Sequence, residues 1–160
     1  SSRAMSDIRS LRRGLKDLNY EKSINRDLQG EVNMDILGLS CIFPVPNIKR
    51  TAEYYMSNLG FSAVEYLNCE EPHICLYLDQ VEIILLQANT DRILPNRELY
   101  GYGYDAYLYT DKQEVMEKAF ISKGVKVVRS LNITDYQNRE FVIEDIDGRW
   151  LAFGLKKSTK

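Results

Sequence analysis

One pattern of punctuation occurs twice in this chain, and the repeat restricts its fold more than any other feature. Asn47 can cap the free N–H groups at the start of a helix, and Gly60 suits the left-handed residue that ends one. Thirteen residues separate Asn47 from Gly60, and thirteen separate Asp111 from Gly124. With one copy laid on the other, Phe61 falls on Val125, Val64 on Val128 and Leu67 on Leu131. Each predicted helix follows one apolar segment and precedes three more. In the first copy these strands are expected over 36–45, 61–67, 72–78 and 81–87; Pro44 and Pro46 close the first, and Asp79-Gln80 joins the last two. In the second they are expected over 105–110, 125–131, 139–143 and 149–155, with Asp147-Gly148 as a hairpin turn. The fold class is α+β: two tandem βαβββ modules, 36–88 and 104–157. The linker between them carries Pro95 and the run Tyr100-Gly101-Tyr102-Gly103-Tyr104, which reads either as a rim over a ligand or as a plain connection.

Residues 1–34 stand apart from the domain at 35–160. Ser1 to Ala4, ahead of Met5, read as an expression remnant. Ile8, Leu11, Leu15 and Leu18 share one face at helical spacing, so a helical extension is expected there. Of the 160 residues, 44% are hydrophobic and 28% charged, which fits a globular chain and excludes a largely disordered one. Lys and Arg number 21 against 23 Asp and Glu, a net charge of −2, which argues against nucleic-acid binding by bulk positive charge. The single His rules out a site built on several histidines within one chain, and three cysteines without a CxxC pair support neither a disulfide framework nor a zinc site. The apolar runs are too short to span a bilayer, and no apolar segment with a small-residue cleavage site opens the sequence. A cytoplasmic setting without membrane association is the expectation.

A doubled βαβββ unit with Pro44-Val45-Pro46-Asn47-Ile48 leading into Thr51, Tyr54-Tyr55 and Leu59-Gly60-Phe61 resembles the vicinal oxygen chelate superfamily. So does Glu144-Asp145-Ile146-Asp147-Gly148-Arg149 ahead of the last strand. The resemblance implies that each module curls into a half-barrel, with a ligand cleft on the concave side of the mixed sheet. The superfamily spans glyoxalases, ring-cleaving dioxygenases, fosfomycin-modifying transferases and non-catalytic drug-binding proteins. Carried over position by position, its metal-ligand places fall on Ser40, Leu85, Asp105 and Ala152, with Gln87 and Glu82 as alternatives to Leu85. Only Asp105 among the four is a normal anionic ligand, which points to the bleomycin-resistance-like members that bind without metal.

Strand alternation sorts the side chains independently of the family. Leu39, Cys41, Phe43, Ile74, Leu76, Leu78, Ile84, Leu86, Ala106, Leu108, Leu151 and Phe153 are expected under the helices. Ser40, Ile42, His73, Cys75, Tyr77, Ile83, Leu85, Gln87, Asp105, Tyr107, Tyr109, Trp150 and Ala152 then face the cleft. His73 reads as a rim residue, and Asp105 as a negative charge suited to a cationic group. The acidic group at 144–147 reads as turn chemistry rather than a calcium loop. The function expected is metal-independent binding or sequestration of a small aromatic or cationic molecule by a homodimer, with no cofactor and no catalytic residue assigned. The alternative is a glyoxalase- or dioxygenase-type enzyme with an atypical metal centre drawn from Asp105, Gln87, Glu82 and His73.

Overall fold

The computed structural model describes residues 34–155. The chain divides at Ser40: Ser40–Lys160 forms one compact unit, and the described residues ahead of it, 34–39, carry no regular secondary structure. The helix expected within 1–34 lies outside the described residues. In the first module, β1 (Ser40–Val45) leads to α1 (Ile48–Leu59), β2 (Ser62–Tyr66), β3 (His73–Leu78) and β4 (Val81–Gln87). After α2 (Asn96–Tyr100) the second module follows: β5 (Ala106–Tyr109), α3 (Gln113–Ser122), β6 (Lys126–Ile133), β7 (Arg139–Glu144) and β8 (Trp150–Leu155). The strands form two four-stranded mixed sheets, ordered β1-β4-β3-β2 and β5-β8-β7-β6, and in each the first strand runs parallel to the last. The tandem βαβββ reading holds.

Local chemistry accounts for most boundaries. Asn47 caps α1 by accepting the Arg50 N–H at 3.0 Å, and Gly60 ends it at φ 82°. Ile48, Thr51, Ala52, Tyr55 and Leu59 recur on one face and are the residues this helix buries. The second helix differs from the expectation. It starts at Gln113 rather than at Asp111 and has no side-chain cap; the Thr110 hydroxyl instead accepts the Lys112 N–H at 2.9 Å in the turn ahead of it. The first strand begins at Ser40 rather than 36, because its partner β4 begins just after the Asp79-Gln80 turn and pairs from Glu82 with Ser40.

The core lies between helices and sheets. Phe141 and Phe153 stack 5.2 Å apart while Phe120 meets both rings edge-on. All three are buried, each removing roughly 2 kcal/mol of apolar surface cost from water. The last hairpin turn reaches α1 of the other module. Tyr55 donates to Asp145 Oδ2 at 2.6 Å, Thr51 donates to Asp147 Oδ2 at 2.5 Å, and Arg149 donates to the Pro44 carbonyl at 2.7 Å. Asp145 Oδ1 accepts the N–H groups of Asp147 and Arg149, so the acidic group is turn and module-junction chemistry. Among the described residues no helix is long and apolar enough to cross a membrane.

Candidate functional site

Ladder registers decide which side chains face away from the helices. On the first sheet the concave set is Ser40 and Ile42 of β1, His73, Cys75 and Tyr77 of β3, and Glu82, Ile84 and Leu86 of β4. This corrects the expected parity of β4. Ile83 and Leu85 are fully buried in the core with Phe43 and Ile74, so Leu85 is not a cleft residue. Gln87 is not one either: its amide donates to the Pro46 carbonyl at 2.6 Å and its oxygen accepts the Ile48 N–H at 3.1 Å, tying β4 to the turn before α1. Four consecutive apolar residues, Ile83 to Leu86, gave alternation nothing to distinguish. Ser40 donates to Glu82 Oε1 at 2.5 Å. His73 stacks on Tyr66 with ring centroids 4.9 Å apart, at the end of β3.

The second sheet carries the aromatics where expected. Tyr107 and Tyr109 of β5 and Trp150 and Ala152 of β8 lie on its concave face, and the two tyrosine rings are 5.2 Å apart. Glu140, Val142 and Glu144 of β7 share that face through their pairing with Gly154, Ala152 and Trp150. Asp105 is placed differently in chemical terms from the expected free charge. Its Oδ1 accepts the Asn96 N–H at 3.0 Å and its Oδ2 the Trp150 N–H at 2.9 Å, so both oxygens clamp α2 to the start of β8.

That clamp positions the linker as a wall. A cavity of about 540 Å³ opens beside the sheet, lined by Arg97, Gly101, Tyr102, Gly103, Tyr104, Arg129, Tyr136 and Trp150. A neighbouring cavity of about 300 Å³ is lined by Tyr107, Tyr109, Tyr136 and Asn138. Trp150 is fixed from several sides: its indole N–H donates to Glu144 Oε1 at 3.1 Å, and the Arg97 guanidinium lies 4.4 Å from the ring centroid. Arg97 also donates to Glu144 at 3.1 Å, while Lys126 holds the other oxygen at 2.9 Å. Burial alone would raise the Glu144 pKa, but the hydrogen bonds from Lys126 and Trp150, with the charges of Lys126 and Arg97, hold it below the usual value. Strand β6 is bulged on both sides of Arg129, whose guanidinium donates to the Tyr104 hydroxyl at 2.5 Å.

Beneath these rings lies Glu140, fully buried, whose Oε1 accepts the Tyr136 and Tyr104 hydroxyls. The pKa values of Tyr107 and Tyr136 are pushed up, first by desolvation and then by the Glu140 carboxylate, so both remain neutral donors. Alternation along β7 exposes this residue in the sequence, since Phe141 and Ile143 must face the core. Arg97, Tyr104 and Tyr136 lie on connections, whose placement strand periodicity does not determine.

The positions that would hold a metal in this kind of double module do not suit one. With the registers matched through the core residues Phe43 and Leu108, Ile84 is the counterpart of Ala152 and Ser40 the counterpart of Asp105. Two hydrocarbons, one hydroxyl and one carboxylate already engaged by backbone donors make a poor set for a divalent cation. Among the described residues no group of three or more His, Cys, Asp and Glu is placed to hold a metal ion.

The doubled module, the parallel first and last strands and the concave aromatic face together define the architecture. The chain has the vicinal oxygen chelate fold. Solved structures with this architecture include a glyoxalase/bleomycin resistance protein/dioxygenase superfamily member from Sphaerobacter thermophilus, with a TM-score of 0.62 and 17% identity over 78% of this chain and 100% of the other. TnmS3, an antibiotic binding protein from Streptomyces sp. CB03234, matches with a TM-score of 0.57 and 18% identity over 78% of this chain and 100% of the other. TioX from Micromonospora sp. ML1 matches with a TM-score of 0.55 and 11% identity over 75% and 100%. No protein-family model and no curated protein sequence matches the chain. The vicinal oxygen chelate fold is thus shared at identities that carry the scaffold alone.

Proposed function

We propose that the chain binds a small planar organic molecule on the concave face of its second sheet and holds it without making or breaking bonds. The observation that carries this is the cavity of about 540 Å³ walled by Trp150, Tyr102, Tyr104 and Tyr136 and rimmed by two guanidinium groups. Flat rings with polar edges give large contact area at low entropic cost, together with directional contacts that orient a ligand. TnmS3, an antibiotic binding protein of the same fold, supports small-molecule binding on this scaffold in general. Because Asp105 is occupied by backbone donors, the ligand is selected by ring stacking and by Arg97 and Arg129 rather than by a free aspartate. Binding is metal-independent in this reading, which the unsuitable donor set supports. The working unit is taken as a homodimer in the cytoplasm; sedimentation tests the first part.

The test is a screen of planar aromatic compounds by quenching of Trp150, the only tryptophan, followed by calorimetry. Saturable binding near one equivalent is expected, weakened about tenfold by Tyr104→Ala. Chain incubated with nickel, zinc, manganese or iron(II) and then desalted should retain less than about a tenth of an equivalent. Affinity untouched by Tyr104→Ala would sink the cavity assignment. One equivalent of metal, released by Asp105→Ala, would turn the reading toward an enzyme.

A further inference from the structure

Glu140 is a buried carboxylate that the fold does not require. Its place on β7 is an ordinary strand position facing the concave side, where the next residue on that face is Val142. It is fully buried, yet among the described residues no cation forms an ion pair with it. Hydroxyls do the compensating instead. Oε1 accepts Tyr136 and, at 3.5 Å, Tyr104, whose own oxygen is polarised by Arg129 at 2.5 Å. Oε2 is buried and no group meets it in hydrogen-bond geometry, although the Tyr107 hydroxyl also interacts with this carboxylate. An acceptor removed from water and left unpaired is a standing cost that an incoming donor would relieve. Opposite it stands Gly154, where a Cβ would lie 2.6 Å from the Glu140 Cβ and 2.6 Å from the Tyr107 hydroxyl, so the glycine keeps room for this group.

We propose that Glu140 Oε2 is the acceptor for a phenol-type hydroxyl of an aromatic ligand lodged between Trp150 and the tyrosines. The proposal rests on the function proposed above and names its ligand class. A carboxylate can only accept, so the ligand must bring the proton. Arg97 and Arg129 line the cavity of about 540 Å³ that Tyr136 borders, so an ammonium donor there would be repelled by two positive groups, whereas a neutral hydroxyl would not. The ring beyond that hydroxyl has Trp150, Tyr102 and Tyr104 to stack on. Entry is past Tyr136, which lines both cavities, is 54% exposed and sits on the turn between β6 and β7. Its hydroxyl bonds Oε1 of Glu140, which leaves Oε2 as the oxygen an incoming hydroxyl would take.

The test compares naphthol with its methyl ether, which has the same rings but no donor, by calorimetry on the full chain. Naphthol should bind about tenfold tighter, in line with a hydrogen bond to a charged acceptor. Glu140→Gln, near in shape and without charge, should bring the two affinities to within about twofold of each other. Tyr136→Phe removes a hydroxyl donor from the same carboxylate, strengthening its demand for the ligand's proton, and should widen their ratio severalfold, which decides the matter even if Glu140→Gln fails to fold. Equal affinities in the unaltered chain, both weakened by Trp150→Ala, would overturn the role of Glu140 and leave the cavity standing. Binding of neither compound, or binding indifferent to Trp150→Ala, would overturn both.

Discussion

On the first sheet, Ile42, Ile84 and Leu86 look out from the concave side; on the second, the corresponding places hold Tyr107, Ala152 and Gly154. His73 corresponds to Glu140, and Glu82 to Trp150. The helices, strand order and parallel closing pair are common to both, and so is an apolar layer beneath each sheet. The outer strand differs too: β2 pairs with β3 in unbroken register, whereas β6 is irregular on both sides of Arg129. Along the paired first and last strands, one copy therefore places Ile42, Ile84 and Leu86 where the other has a ring and two small residues. The scaffold tolerates this because residues on that face are not the ones that hold helix to sheet. Chemistry can accumulate in one module while the other preserves the fold.

Giving the second module the residue of the first should break this contrast most severely. Gly154→Leu installs the side chain found at Leu86, but a Cβ alone would already come within 2.8 Å of the Arg139 carbonyl. A loss of about 3 kcal/mol or more is expected from overpacking against backbone, read by chemical denaturation. A cost below about 1 kcal/mol would mean that the two faces are interchangeable after all.

The junction gives an effect of similar size with a distinctive pH dependence. Burial raises the Asp145 pKa from 3.8 to about 6, against the opposing hydrogen bonds from Tyr55 and the backbone at 147 and 149. The folded chain thus holds this proton more tightly than the unfolded one. The contribution of Asp145 to stability is complete below about pH 4 and is lost as pH rises through about 6, a change of about 3 kcal/mol. Denaturation curves across that window should show it, and Asp145→Asn should remove most of the slope. A slope unaltered in that variant would assign the dependence to other groups.

The smallest expected effect belongs to the first module. His73→Ala removes a stacked ring at the end of a strand and should cost below about 1 kcal/mol in stability. It should also leave aromatic ligand affinity within about twofold, against the tenfold loss for Tyr104→Ala. A large binding defect in His73→Ala would extend the site across both sheets.

Punctuation made much of the fold legible. Asn47 and Gly60 bracket α1 as read, and Asp147-Gly148 makes the last turn, with Gly148 at φ 89°. Alternation works where strands are half polar: Tyr107, Tyr109, Trp150 and Ala152 share the face opposite the core residues Leu108, Leu151 and Phe153. It failed on β4, where apolar residues occupy both faces and the pairing with β1 sets the outcome. The chemical state of Asp105 was not legible either. A carboxylate reads as a charge in a sequence, and only the neighbouring Asn96 and Trp150 N–H groups turn it into a clamp.

The bracket joining α1 to the last hairpin has a consequence for the order in which the chain is made. The first sheet has all its strands once Gln87 has been added. Yet the acceptors for Tyr55 and Thr51 lie 90 and 96 residues further along, and the guanidinium that reaches Pro44 lies 105 residues away. These two hydroxyls of α1 therefore find their acceptors only in the last hairpin of the chain, so the end of the second module fastens the helix of the first.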